Sequence, residues 1–310
     1  MRQGELNVRR ASRCGLIAFA LLGALACGKN QPDVARPDDL VRRYQACWTA
    51  YNAGRWGKVA ACYPRDYTLE VRGLAGAATD SADWLADVKQ HGIVALGDRG
   101  EPELVMAADG WLLGVVRVTG TNAGQPVGVR LAELIEYDAR GKVTRHEQYY
   151  DLAARTRPPA PAALRVAIAD DQLEAARAIE ATVGTLIEAW RDGRLDAVGA
   201  LVTDDLVWTE AAIDRRLDKA GLLAQLAAWR QGFHDHELNL SHSYVVGDFV
   251  IVRGFLDGEN DGDLPALGIT RTGNRIAVPV LAVFELRGGK VAAAELFWQR
   301  AALTAQLTAP

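Results

Sequence analysis

What most constrains the fold of this chain is that it repeats itself. YNAGRWGKVAACYPRDYTLEV (Tyr51–Val71) is answered without a gap by WRDGRLDAVGALVTDDLVWTE (Trp190–Glu210), with Gly54/Gly193, Arg55/Arg194, Val59/Val198, Ala61/Ala200 and Asp66/Asp205 in common. Upstream, Leu40, Tyr44, Cys47, Trp48 and Tyr51 follow the spacing of one helix face. Their counterparts, Ile179, Val183, Leu186, Ile187 and Trp190, are all apolar. Downstream, DGWLLGVVRV (Asp109–Val118) answers GDFVIVRGFL (Gly247–Leu256), and GKVTRHEQYYD (Gly141–Asp151) answers GKVAAAELFWQ (Gly289–Gln299). Two copies of one domain are expected, the second longer in its middle.

A chain of 310 residues is long enough for two domains, and 49% apolar with 24% charged residues is the composition of a protein that folds in water. The formal charge is −4 with no basic stripe, which argues against a nucleic-acid partner.

The first residues are expected to be a leader, not part of the fold. Four arginines precede an apolar run, Gly15–Ala26, which as a helix reaches only about 18 Å, too short for a bilayer core. The run ends in GALAC, which resembles the bacterial lipoprotein signal. The resemblance implies cleavage after residue 26, acylation of Cys27 and a lipid-anchored place in the cell envelope. Gly28 stands where an aspartate would retain the protein at an inner membrane, so an outer membrane is favoured if there is one. Loss of the leader takes the formal charge from −4 to −7, so the lipid rather than a basic patch would make the attachment.

Residues 27–37 read as a tether, 38–155 as the first domain, 156–171 as a proline-rich linker and 172–310 as the second domain. Asp38 or Asp39 is expected to cap the first helix, and Gly54 to end it. Each copy reads as three helices with a strand inserted among them, then long antiparallel strands, an α+β fold. The long hairpin Gly258–Ile276, with its Thr-Gly-Asn-Arg ending at Thr272–Arg275, and the terminal strand Glu147–Asp151 resemble the SnoaL-like polyketide cyclases. Both copies thus resemble the nuclear transport factor 2-like superfamily, which includes ketosteroid isomerase. The resemblance implies two tandem cone-shaped domains, each a curved antiparallel sheet around a long N-terminal helix, with a pocket inside the cone. It also implies pairing through the sheet face, between the two domains or in a homodimer.

Carried over residue by residue, the resemblance leaves each copy with one acid. The isomerase base falls on Glu210, but the oxyanion donors it needs fall on Leu186 and Leu281. The cyclase base falls on Asp151, with no histidine on the preceding strand. The incomplete sets favour binding of an apolar small molecule, or of an envelope protein, over catalysis by Asp151 or Glu210, with the apolar ligand expected in the second domain, where the long hairpin Gly258–Ile276 can drape over the mouth of the pocket. Trp48, Tyr51, Tyr149, Trp190, Trp208 and Trp298 are the candidate pocket residues. No residue pattern calls for a cofactor. His234, His236 and His242 are too spread along a strand to share a metal ion. Cys47 and Cys62 correspond to Leu186 and Leu201, which puts both in one core between the first two helices. They are expected to lie close, as a disulfide or as two buried thiols.

Overall fold

The computed structural model describes residues 35–63, 67–72, 78–79, 81–151, 158–169 and 173–309. The expected leader, Cys27 and most of the expected tether lie outside the described residues. In chain order the first half contains α1 (Pro37–Asn52), α2 (Trp56–Cys62), β1 (Thr68–Arg72), β2 (Ala78–Thr79), α3 (Ser81–His91), β3 (Arg99–Ala108), β4 (Trp111–Asn122), β5 (Gln125–Tyr137), β6 (Val143–Tyr149) and β7 (Arg165–Ile168). The second half contains α4 (Leu173–Arg191), α5 (Leu195–Leu201), β8 (Val202–Glu210), β9 (Arg215–Leu217), α6 (Lys219–Gly232), β10 (Glu237–Val246), β11 (Phe249–Glu259), β12 (Arg275–Arg287), β13 (Lys290–Phe297) and α7 (Arg300–Leu307).

The repeat is visible in hydrogen bonds. Gly54 and Gly193 both take a positive φ, where glycine carries no Cβ penalty. In each, the glycine N–H donates to the carbonyl of the aromatic residue three before it (Tyr51, Trp190), and the following arginine N–H donates to Ala50 or Ala189. The shared Gly-Arg dipeptide is therefore a helix stop. Sheet order repeats too: β2-β1-β6-β5-β4-β3 in the first sheet and β9-β8-β13-β12-β11-β10 in the second. Register agrees residue by residue. Leu69 faces His146 as Trp208 faces Ala294, and Gly114 faces Glu133 as Val252 faces Ala282.

Three expectations are corrected. The residue before α1 is Arg36, with no side-chain cap, and Asp38 and Asp39 lie within the first turn, where they favour the helix dipole. The linker is not all linker: Arg165–Ile168 forms β7, parallel to β3, because its short apolar run can extend that edge. The long hairpin Gly258–Ile276 is packed rather than draped. The fully buried Asn260 donates to the Gly232 and Gly262 carbonyls and accepts from the Thr272 N–H, while Leu264 and Leu267 join a core with Trp229 and Phe233.

The central strands are apolar on both faces because both are covered. On β4, Leu112 and Val116 face the core under α1, while Leu113 and Val115 face the second sheet. There they meet Val246, Ile251, Leu281, Val283 and Phe297. Ion pairs join the two halves: Arg253 with Glu147 at 2.7 Å, Arg130 with Glu295 at 3.0 Å and Arg165 with Glu285 at 2.6 Å.

Candidate functional site

The first half carries a buried polar cluster that sequence reasoning did not assemble. Glu133, on the α1-facing side of β5, is 1% exposed. Its carboxylate accepts four hydrogen bonds, two on each oxygen. Tyr44 Oη (2.6 Å) and Trp48 Nε1 (3.2 Å) donate to Oε2, and His146 Nε2 (3.0 Å) and Gln148 Nε2 (3.0 Å) to Oε1. Burial alone would push this carboxyl up. The hydrogen bond and charge of His146, then the bonds from Tyr44 and Gln148, outweigh it and hold Glu133 below its ordinary range. Burial, then the facing Glu133 charge, pushes the Tyr44 and Tyr63 hydroxyls well up, so both remain protonated donors.

An ionised Glu133 can only accept, so His146 Nε2 bears the proton in that bond. His146 Nδ1 is buried without a partner. Tyr63 lies parallel over the imidazole, with centroids 5.2 Å apart, and Trp84 meets it edge-on at 6.1 Å. Next to this cluster is a cavity of about 20 Å³, room for one water molecule, lined by Cys47, Trp48, Tyr51, Val59, Tyr63, Trp84, Ile93 and Glu133. Tyr51 donates to Asp98, whose other oxygen accepts from the Ile93 and Val94 N–H groups. The disulfide Cys47–Cys62, with Cα atoms 6.2 Å apart, ties α1 to α2 beside the cavity.

Two glycines make room for the donors. A Cβ on Gly114 would sit 2.1 Å from Tyr44 Oη, and one on Gly100 would sit 1.9 Å from the Trp48 ring. Gly114→Ala is therefore expected to destabilise the protein by about 1–3 kcal/mol through overpacking, read by urea denaturation. In the second half the same places hold Val252 and Leu238, opposite the smaller Val183 and Ile187. Glu133, His146 and Gln148 are there replaced by Ala282, Ala294 and Leu296, and the whole set belongs to an apolar core.

The other expected site residues lie elsewhere. Trp48 and Tyr51 line the cavity. Tyr149 does not: strand alternation turns it to the sheet–sheet interface, where its hydroxyl donates to Glu147. Asp151 is buried at the junction of the halves and accepts from the Arg300 N–H at the start of α7. Glu210 is buried, with its carboxyl pushed up by burial against the pull of Arg215, 3.3 Å away. Trp190 packs on His236, Trp208 on Phe284 and Trp298 on Trp229, all as core contacts. Leu281, expected at a donor position, faces the other sheet.

Glu133 and His146 did leave a signal. Glu133 interrupts the apolar face Leu131-x-Glu133-x-Ile135, and His146 and Gln148 stand against Ala294 and Leu296 in the aligned repeats.

Comparison with known proteins agrees with the architecture of the second half. The SnoaL-like domain family matches residues 183–294, so this stretch is similar to a SnoaL-like domain. Among curated proteins none matches the chain. Similar solved structures include a protein from Jannaschia sp. CCS1 named for the SnoaL-like polyketide cyclases, at 24% identity and TM-score 0.42, covering 46% of this chain and 99% of that one. IdmH from Streptomyces antibioticus, named for the polyketide cyclases, is 20% identical with TM-score 0.39, over 42% of this chain and 99% of its own. A hypothetical protein of ketosteroid isomerase-like fold from Catenulispora acidiphila, in complex with trimethylamine, is 18% identical with TM-score 0.37, over 42% and 93%.

Proposed function

We propose that the chain is a lipid-anchored envelope protein of two cone-shaped SnoaL-like units in tandem, paired through their sheets. The first unit binds a small, flat, apolar molecule, and the second is its structural partner. One observation carries this reading. Among the described residues, the first half combines a buried Glu133–His146 pair with an aromatic-lined cavity, while the second fills the positions equivalent to Glu133 and His146 with apolar side chains. Trp48, Tyr51, Tyr63 and Trp84 offer ring faces and edges to an apolar ligand, and the polar cluster beside them fixes its orientation. Entry requires Tyr63 and Trp84 to swing aside, since the cavity as it stands holds about one water.

The site binds rather than turns over efficiently. A carboxylate satisfied by four donors and held below its ordinary pKa is a weak base. Native mass spectrometry of the purified protein tests the reading. A carried-over small molecule is expected in the wild type and absent in His146→Ala. An adduct that survives His146→Ala but is lost in Trp208→Ala would move the site to the second half.

One observation favours proton transfer as a second reading: His146 Nδ1 is buried and unpartnered, with Nε2 oriented by Glu133, the arrangement of a base and its orienting acid. Turnover that survives Asp151→Asn and Glu210→Gln but not His146→Asn would establish it.

Membrane attachment rests on Cys27. Cys27→Ala is expected to move the protein from the membrane to the soluble fraction, and unchanged fractionation would rule the anchor out.

A further inference from the structure

The Cys47–Cys62 bond sits where it can govern access to the cavity. Cys47 lines the cavity and precedes Trp48, a donor to Glu133. Cys62 ends α2 and is followed directly by Tyr63, the ring stacked on His146. Tyr63 in turn meets Trp84 edge-on at 5.6 Å, so the two rings close the cavity together. Both cysteines are only half-buried, within reach of a reductant.

The second half supplies the comparison. It joins the same two helices through Leu186 and Leu201, packed in one core without a covalent bond. A disulfide is thus not needed to hold this helix pair together. It is present in the half that carries the polar cluster and replaced by leucines in the half that does not.

We propose that Tyr63 is a lid over the Glu133–His146 cavity and that the Cys47–Cys62 disulfide is its redox latch. Oxidised, the bond pins the end of α2 to α1 and holds Tyr63 on the imidazole. A dithiol reductant opens it by exchange. One thiolate attacks a sulfur of the bond and forms a mixed disulfide; the second thiol of the reductant then displaces the remaining cysteine. Cys47 and Cys62 leave as thiols, each taking a proton, and the reductant leaves as a disulfide. Tyr63 is then held by its ring contacts and one long backbone hydrogen bond to the Ala60 carbonyl, and the cavity opens.

The latch rests on the reading of this cavity as the working site. Its test reads opening with no ligand present, so a failure of binding and a failure of the latch remain distinguishable. Diethyl pyrocarbonate labels accessible imidazole nitrogens, and peptide mass spectrometry reads each histidine separately. The exposed His91 and His234 serve as internal references. In the oxidised protein His146 should label slowly. Reduction with dithiothreitol should raise its rate about tenfold or more relative to His91, as a local opening would. Cys47→Ser/Cys62→Ser should label at the reduced rate without reductant. Cys47→Leu/Cys62→Leu, which copies the second half, should stay slow in either condition. The proposal is overturned if His146 labels at an unchanged rate once both cysteines titrate as thiols. It is equally overturned if reduction removes amide protection throughout β4 and β5, since the bond would then hold the whole fold and not a lid.

Discussion

Glu133→Leu is expected to destabilise the protein by on the order of 4 kcal/mol at neutral pH, against about 1 kcal/mol for an average substitution. The reason is the number of groups it strands. Tyr44, Trp48, His146 and Gln148 each direct a donor at this carboxylate, and all four are buried from bulk solvent. A buried donor left without an acceptor costs roughly 1–3 kcal/mol, lowered where the side chain can turn away. Glu133→Gln keeps the shape but brings an NH₂ into a ring of donors, so it should cost less than leucine but clearly more than zero. The effect should depend on pH in a defined direction. Glu133 is held below its unfolded value, so its contribution is fully present above that value, near pH 4.3, and is lost as pH falls through the folded pKa. The stability gap between the wild type and Glu133→Leu should therefore narrow in urea denaturation as pH falls below the unfolded value of about 4.3. A stability gap that widened in acid would mean that Glu133 is buried protonated.

Glu147→Leu is the second large effect, expected at about 3–5 kcal/mol. Glu147 is fully buried between the halves. It pairs with Arg253 of the second half at 2.7 Å and with Arg145 of the first at 2.7 Å, and it accepts from the Tyr149 hydroxyl. Removing it leaves the buried Arg253 guanidinium with His242 Nδ1 at 2.8 Å and, as its remaining carboxylate, the half-buried Glu136 at 4.0 Å. The loss of one partner is costly because the other charge stays buried; the pair itself adds much less. Adding Arg253→Met to Glu147→Leu should therefore recover a good part of the loss, a positive coupling that a double-mutant cycle in urea reads directly. Additive losses would show that the two residues act separately.

The fold was largely legible in the sequence because repeats advertise themselves through backbone needs. The Gly-Arg helix stop, the alternating strands and the helix face from Leu40 to Tyr51 are local demands on a chain, and each copy states them. β7 was missed because four residues inside a proline-rich stretch carry no periodicity of their own. What makes them a strand is the open edge of β3, a tertiary fact.

The site was less legible for a related reason. Asp151 and Glu210 were found by matching positions to templates. Position along a strand does not say which way a strand end turns or what docks there. Asp151 is taken by the start of α7, which comes from the far end of the chain. Tyr149 was misassigned by one step of alternation, since Glu147 and Tyr149 face the other sheet while His146 and Gln148 face α1. Glu133 was visible only as a charge on an apolar strand face, and its donors come from a helix more than eighty residues earlier and a strand thirteen or more residues later. The glycines that admit Tyr44 and Trp48 read as ordinary strand glycines until the rings lie over them.

The central claim is that binding resides in the first half, at Glu133 and His146. Tryptophan fluorescence titrated with 2-naphthol, a flat apolar probe with one hydroxyl, tests it most directly. Saturable binding is predicted for the wild type under reducing conditions. It should weaken about tenfold or more, the worth of a ligand hydrogen bond to a buried polar group, in His146→Ala, and stay unchanged in Trp208→Phe. Binding that survived His146→Ala and fell in Trp208→Phe would contradict the account and place the working site in the second half.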